Sequence, residues 1–233
     1  NFYNQGPQRK QELLNSCAVL GIPESRITIV DHKELPDDPK TEWSVSLVSS
    51  VIVKYIRVHS LNMVLTFDGR GVSGHANHVA IHKAVSHLAC TGQVPDGIYT
   101  SFDWSYCSLG SRRERFRLNV TIISFFTWLY SNSFNPLLTG SLPALPDCCL
   151  LSLVTVGLFR KYISFLDLPL SWLLPSGLRC ITGSRGYRRA KDAMFCHRTQ
   201  LLWFRYLYIA FSRYMFINTF QIIPRGPKNL KIY

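Results

Sequence analysis

Apolar positions recur near helical spacing through residues 8–20, at Leu13, Leu14, Cys17, Ala18 and Leu20. Gly21-Ile22-Pro23 follows, with the residue types that end helices. This predicts a helix with one buried face. Arg26-Ile27-Thr28-Ile29-Val30-Asp31 is a short β-branched run before a polar loop holding Pro36 and Pro39, and predicts a buried strand ending on Asp31. Residues 44–59 place Val48, Val51, Ile52, Tyr55 and Ile56 on one side, a helical pattern, although their valines suit a helix less well. Residues 62–67 form a continuous apolar strand, followed by the loop Asp68-Gly69-Arg70-Gly71. Helical spacing returns over residues 77–88, with Val79 or Ile81, Val85 and Leu88 as apolar anchors behind a tight loop at 71–75. Helix, strand, helix, strand, helix is the rhythm of a parallel α/β sheet, where ligands gather beyond the carboxyl ends of strands. Asp31 and the segment 68–78 both fall at such ends.

The rhythm stops at about residue 99. Residues 97–146 mix aromatics, a basic cluster (Arg112, Arg113, Arg115, Arg117) and an apolar burst at 120–130 that fits a strand or a buried helical turn. Asn119-Val120-Thr121 matches a glycosylation sequon, a short pattern that the cysteine usage described below argues against using. Residues 148–156 predict a strand. From 187 to 211, Ala190, Met194, His197, Leu201, Phe204 and Tyr208 fall at helix-like intervals beside Lys191, Arg198, Arg205 and Arg213. One aromatic and basic helix is predicted there. It either lies at a lipid interface or packs on the core with a solvated basic edge.

Composition adds limits. A chain of 233 residues can bury one sizeable core, alone or with an appendage. The apolar fraction of 47% suits a folded globule, while 17% charged residues fall below the roughly 25% usual for soluble domains, which favours contact with lipid or a partner. Lys and Arg outnumber Asp and Glu by 26 to 14, increasingly toward the C-terminus, so the expected partner is anionic. No aromatic RNA-binding signature or helix-turn-helix accompanies the charge, and nucleic acid is not expected. Seven cysteines without a C-x-x-C pair indicate neither a zinc ribbon nor a disulfide scaffold, and suit a reducing compartment. No run reaches the ~20 uncharged apolar residues of a membrane span. Residues 150–174 are interrupted by Arg160, Lys161, Asp167 and Pro169, so membrane contact is expected to be interfacial. Asn1-Phe2-Tyr3-Asn4-Gln5-Gly6 has neither a signal peptide's features nor an initiator Met, and reads as the middle of a longer sequence.

The richest chemistry lies in GVSGHANHVAIHKAVSH, residues 71–87, which holds four of the seven histidines. His75 and His78 stand three residues apart at the start of a helix, a spacing that lets two imidazoles face one cavity under the positive potential of the helix N-terminus. Neutral imidazole is a good zinc ligand, but a catalytic zinc needs about three protein ligands and an open position. His-x-x-His supplies at most two. His82, one turn beyond His78, could join a metal or could be an ordinary half-packed histidine, and His87 falls on another face.

Gly71-Val72-Ser73-Gly74-His75-Ala76-Asn77-His78 closely resembles the second metal motif of the LmbE-like (PIG-L) zinc deacetylases, Gly-x-x-Gly-His-x-(Asp or Asn)-His. The resemblance extends to Asn4-Gln5-Gly6-x-x-Arg9-Lys10-x-Glu12-Leu13-Leu14, Leu20-Gly21-Ile22-Pro23, Asp37-Asp38-Pro39 and Thr66-Phe67-Asp68. It resumes at Arg160-Lys161-Tyr162-Ile163-Ser164 and at Cys196-His197-Arg198-x-Gln200-Leu201-Leu202-Trp203-Phe204-Arg205. It implies an α/β fold, a Rossmann-like, mostly parallel sheet with flanking helices, incomplete at the N-terminus. Residues 1–98 would form the core, 99–146 an insertion without family counterpart, 147–220 the remainder of the domain and 221–233 a tail.

The activity implied is zinc-dependent hydrolysis of the acetamide of N-acetylglucosaminyl-phosphatidylinositol in GPI-anchor synthesis, at the cytoplasmic face of the endoplasmic reticulum. Its partners would be that glycolipid and the membrane surface. By position, the resemblance makes His78 a zinc ligand and gives His75 the task of stabilising the oxyanion or protonating the leaving amine, which suits an imidazole. It places Arg9 and Asp31 against the sugar or its anionic aglycone. Asn77 stands where bacterial relatives carry Asp, so no carboxylate role transfers to it. The family's first motif, Ala-His-Pro-Asp-Asp-Glu, is expected upstream of the segment that matches residues 1–6, and Asp37-Asp38, with no preceding His, does not replace it. With His78 the one family zinc ligand within residues 1–233, the alternative is a non-catalytic, membrane-associated interaction protein on the same scaffold.

Overall fold

The helical segments before residue 92 become the helices expected of them in a computed structural model that describes residues 5–38, 41–61, 63–94, 148–174 and 178–226. Helix α1 spans Gly6–Val19, with Pro7 in its first turn, where a missing N–H costs nothing. It buries Leu13 and Cys17, while Leu14 is half-buried and Ala18 exposed. Helix α2, Val45–Val58, is capped by the Ser44 hydroxyl, which accepts the Leu47 N–H, and buries Val48 and Ile56. Strand β1 is Met63–Phe67, and a short kinked turn, α3, Gly71–Gly74, leads into helix α4, Ala76–Thr91. Strand β2 is Cys149–Leu153. The insertion 99–146, its apolar burst at 120–130 and the sequon at Asn119 lie outside the described residues.

Four strands form one mixed sheet in the order β1-β2-β4-β3, where β3 is Leu178–Ile181 and β4 is Ile217–Ile222. The β1–β2 ladder is parallel, from Met63 opposite Cys149 to Phe67 opposite Leu153, whereas β4 runs antiparallel to both β2 and β3. This is an α/β fold of the class expected, although among the described strands only the first ladder is parallel. Side chains alternate across β2. Leu150 joins the core under α2 and α4 with Phe67, Val85 and Leu88, and Cys149, Leu151 and Leu153 join Leu178, Tyr214 and Phe220 on the opposite face.

The segment 26–31 is not the buried strand expected. Glu24–Arg26 is a single 3₁₀ turn, and residues 27–31 run without a ladder, with Ile29 and Val30 exposed at 41% and 42%. None of the four described strands pairs with this run, so its β-branched side chains have nothing to pack against. Asp31 is therefore exposed on irregular chain rather than placed at a strand end.

The single helix expected over 187–211 is two helices, α7 (Ser184–Phe195) and α8 (Trp203–Phe211), separated by a 3₁₀ turn at Arg198–Gln200. The cause is a long-range contact. Glu12 on α1, itself buried, accepts the Thr199 N–H at 2.8 Å and the Thr199 hydroxyl at 2.7 Å, and so draws the turn onto α1. Arg213, expected on a basic edge, is fully buried. Glu12→Ala leaves the Thr199 groups without these acceptors and is expected to cost about 1–3 kcal/mol. Urea unfolding measures the loss, and faster proteolysis between α7 and α8 should accompany it. Among the described residues no helix is long and apolar enough to cross a membrane.

Candidate active site

The two histidines stand beyond the carboxyl ends of the parallel strands β1 and β2, where sheets of this kind gather ligands. Asp68, the residue after β1, is buried and binds the chain beyond β2. Its carboxylate accepts the Thr155 N–H and the Thr155 hydroxyl, both at 2.6 Å, and the Arg70 N–H at 3.1 Å. The Thr155 oxygen in turn accepts the Val72 N–H at 3.0 Å. These bonds hold Val72 at φ 65°, a conformation that a β-branched residue adopts only where its surroundings impose it.

The turn so held carries His75 and His78. His75 caps α4, its Nδ1 accepting the Asn77 N–H at 3.3 Å. In the neutral imidazole the hydrogen then sits on Nε2, which is left as a donor. His78 is the reverse. Its Nδ1 lies 3.0 Å from the Gly71 carbonyl, and since a carbonyl only accepts, Nδ1 carries the hydrogen and Nε2 keeps its lone pair. Phe67 stacks on the His78 ring with centroids 3.9 Å apart, and the His75 ring centroid lies 4.8 Å from that of His78, the two planes inclined by 27°. Burial pulls the His78 pKa down, against the Gly71 hydrogen bond and with help from His75, which favours the neutral ring. One histidine therefore offers an N–H and its neighbour a lone pair.

The other candidates lie elsewhere or do structural work. His82, half-buried, places Nδ1 at 2.9 Å from the Phe67 carbonyl, and His87 is exposed. Arg9 on α1 forms an ion pair with Asp37 at 3.5 Å, and Asp31 sits on the exposed chain after the first 3₁₀ turn. Sequence reasoning assigned no role to Asp68, Thr155, Lys161 or Tyr214. Lys161 brings Nζ to 3.5 Å from the Val72 carbonyl, and the Tyr214 hydroxyl accepts the Val156 N–H at 3.1 Å. Only the polar residue after each parallel strand hinted at the bridge between Asp68 and Thr155.

Residues 3–89 match the model of a protein family, PIG-L, described as GlcNAc-PI de-N-acetylase. Over 223 residues the chain is 36% identical to the N-acetylglucosaminyl-phosphatidylinositol de-N-acetylase of Bos taurus, covering 96% of this chain and 68% of that one. The chain belongs to the PIG-L family. A probable enzyme of the same name from Dictyostelium discoideum is 28% identical over 94% of this chain and 77% of its own length. The Saccharomyces cerevisiae enzyme is 27% identical over 95% of this chain and 67% of its own. No solved structure matches the chain significantly. Membership places the chain among amide hydrolases, and the matched region contains the turn, both histidines and Asp68.

PIG-L proteins are in general metal-dependent deacetylases, and the donor set can be compared with that need. His78 fits a ligand's role, since its ring is stacked and its Nδ1 is anchored to a carbonyl, which fixes the tautomer whose lone pair is on Nε2. The described residues by themselves supply too few such donors. Among the described residues no three His, Cys, Asp or Glu side chains come together, and a catalytic zinc needs about that number. Nearby, the buried side-chain oxygen of Asn77 has no hydrogen-bond partner among the described residues.

Gly71 sets how closely the turn approaches α4. It stands at φ +56°, and a Cβ on it would meet the His78 Cβ at 3.0 Å and the Val79 Cγ2 at 3.2 Å. Gly71→Ala combines left-handed strain with that crowding and is expected to cost at least about 1–2 kcal/mol in thermal unfolding. An unchanged melting temperature would show that the turn relaxes freely.

Proposed function

We propose that the chain hydrolyses the acetamide of N-acetylglucosaminyl-phosphatidylinositol, releasing acetate and the free amine of the glucosaminyl lipid in GPI-anchor biosynthesis. The observation that carries this reading is the pair His75 and His78, stacked at the start of α4 in a chain with 36% identity to an enzyme named for that reaction. His75 presents Nε2–H, which stabilises negative charge growing on the carbonyl oxygen. To pass a proton to the departing amine the ring first takes one up on Nδ1, giving up its bond from the Asn77 N–H, and returns to the neutral form. His78 offers the lone pair on which the family's metal, zinc, would be held. Further donors would have to come from outside the described residues. Arg9 and Asp31 are proposed to meet the sugar or its anionic aglycone, and the endoplasmic reticulum membrane, at its cytoplasmic face, is the proposed location. The domain division at residues 98, 146 and 220 is retained as part of the same reading.

The test is acetate release from the glycolipid by the purified, folded chain with and without added zinc, together with its metal content. Turnover that depends on zinc supports the reading. A folded chain that neither retains zinc nor releases acetate overturns it. That result favours the non-catalytic, membrane-associated alternative.

A further inference from the structure

Residues 158–174 and 202–211 turn large apolar side chains outward. Phe159, Leu173 and Trp203 are exposed at 79%, 83% and 76%, and Phe165, Trp172 and Phe211 are each more than half exposed. A surface helix ordinarily hides its apolar stripe against the core. Helix α8 does the opposite, burying only Ile209 while Trp203, Phe204, Tyr206, Leu207 and Phe211 face out. Apolar surface on this scale marks an interaction site.

The two segments form one surface, and it borders the histidine turn. Tyr162 meets Tyr208 edge-on with ring centroids 6.1 Å apart. Lys161 holds its Nζ 5.8 Å and 5.7 Å from the centres of those two rings and 3.5 Å from the carbonyl of Val72. Lys161 thus joins the apolar surface to the turn that carries His75 and His78.

The surrounding charge points to the occupant. Over residues 148–226 the only carboxylates are Asp167 and Asp192, against eleven lysines and arginines. Asp167 is fully buried between Arg160 and Arg213, so the exposed charge of this part of the chain is almost wholly positive. Exposed Trp and Tyr suit the headgroup level of a bilayer, aliphatic side chains suit its acyl boundary, and each Lys or Arg near an anionic surface adds about 1 kcal/mol of attraction.

We propose that residues 158–174 and 202–211 form a docking surface for an anionic lipid bilayer, which holds the His75–His78 site at headgroup level through the Lys161 junction. It deepens the glycolipid reading by saying how the site reaches a membrane-held substrate, and rests on that reading only there. Its test contains no glycolipid substrate, so the two can fail separately.

The test is flotation of the whole chain with phosphatidylcholine vesicles made with and without phosphatidylinositol. The wild-type chain should float with the phosphatidylinositol vesicles, less so at high salt. The double variant Phe159→Glu/Trp203→Glu should bind at least about tenfold more weakly, since two large apolar side chains lose their transfer energy. Its circular dichroism and melting temperature should match wild type, because both positions are exposed. Retained binding by that variant overturns the proposal, as does a wild-type chain that never floats. Equal binding to both vesicle types overturns the anionic assignment. A wild-type dimer in sedimentation that the double substitution dissociates would instead make the occupant a second copy of the chain.

Discussion

His75→Asn lowers acetate release from the glycolipid by about 10²–10⁴-fold, the span that a positioned proton-transfer group contributes, and leaves the fold intact. The choice of asparagine separates the two tasks of this side chain. His75 caps α4 by accepting the Asn77 N–H, and asparagine is among the best capping residues, so the helix start survives. Asparagine exchanges no proton near neutral pH, so a loss of turnover at unchanged stability belongs to the chemistry. His75→Ala removes both tasks and is expected to add a stability loss of about 1 kcal/mol to the same loss of turnover. His78→Ala should be as damaging to turnover and should also lower metal content, because it removes the Nε2 lone pair. Steady-state acetate release and differential scanning calorimetry on the three variants are the measurements. Turnover by His75→Asn within a few-fold of wild type would remove His75 from the reaction.

Asp167→Ala lowers the free energy of unfolding by about 3–5 kcal/mol, the range for breaking a buried ion pair from one side. Asp167 is fully buried and accepts the Arg160 Nε at 2.6 Å, the Arg160 Nη2 at 2.9 Å, and hydrogen bonds from the Arg213 Nε and the Ser171 hydroxyl. Arg213 reaches on to Thr219 in β4 at 3.0 Å, so one carboxylate ties helices α5 (Leu158–Lys161) and α6 (Asp167–Leu173) to the sheet. Removing it leaves the buried Arg213 guanidinium uncompensated. Burial by itself would raise the Asp167 pKa, but the hydrogen bonds from Arg160, Ser171 and Arg213 and the charge of Arg213 outweigh it and hold the carboxyl below its ordinary value. A depressed carboxyl stabilises the fold above its unfolded pKa of about 3.9, and that contribution disappears as pH falls through the lower folded value. Denaturant unfolding should therefore show a gap between wild type and Asp167→Asn that is full at neutral pH and narrows only below about pH 4. A gap already closed at pH 6 would show that Asp167 does not carry the cluster.

The elements legible in the sequence were those whose side-chain period is decided within one segment. Leu13 and Cys17 in α1, Val48 and Ile56 in α2, and Ile81, Val85 and Leu88 in α4 are buried because their spacing puts them on one face. The run Ile27-Thr28-Ile29-Val30 has strand composition but no ladder, and composition carries no information about whether a partner strand lies alongside. The period from Ala190 to Tyr208 survives a broken helix because Glu12, far away in sequence, anchors Thr199 between its halves. Spacing groups Arg213 with the basic surface residues, whereas in the fold it is buried against Asp167, 46 residues earlier.

By itself the sequence determined that His75 and His78 share the first turn of a helix behind a glycine turn, because a three-residue separation on a helix settles that neighbourhood locally. The same motif carried the PIG-L family. Only the tertiary structure decided which nitrogen each ring presents, since that depends on the Gly71 carbonyl and the Asn77 N–H in the folded turn. It also decided that Asp68 clamps the turn to Thr155, that β4 enters the sheet antiparallel, and that the aromatic residues of α8 face outward beside the site. Each of these joins residues far apart in the chain, and hydrophobic period, which repeats every two or 3.6 residues, does not encode contacts over such separations.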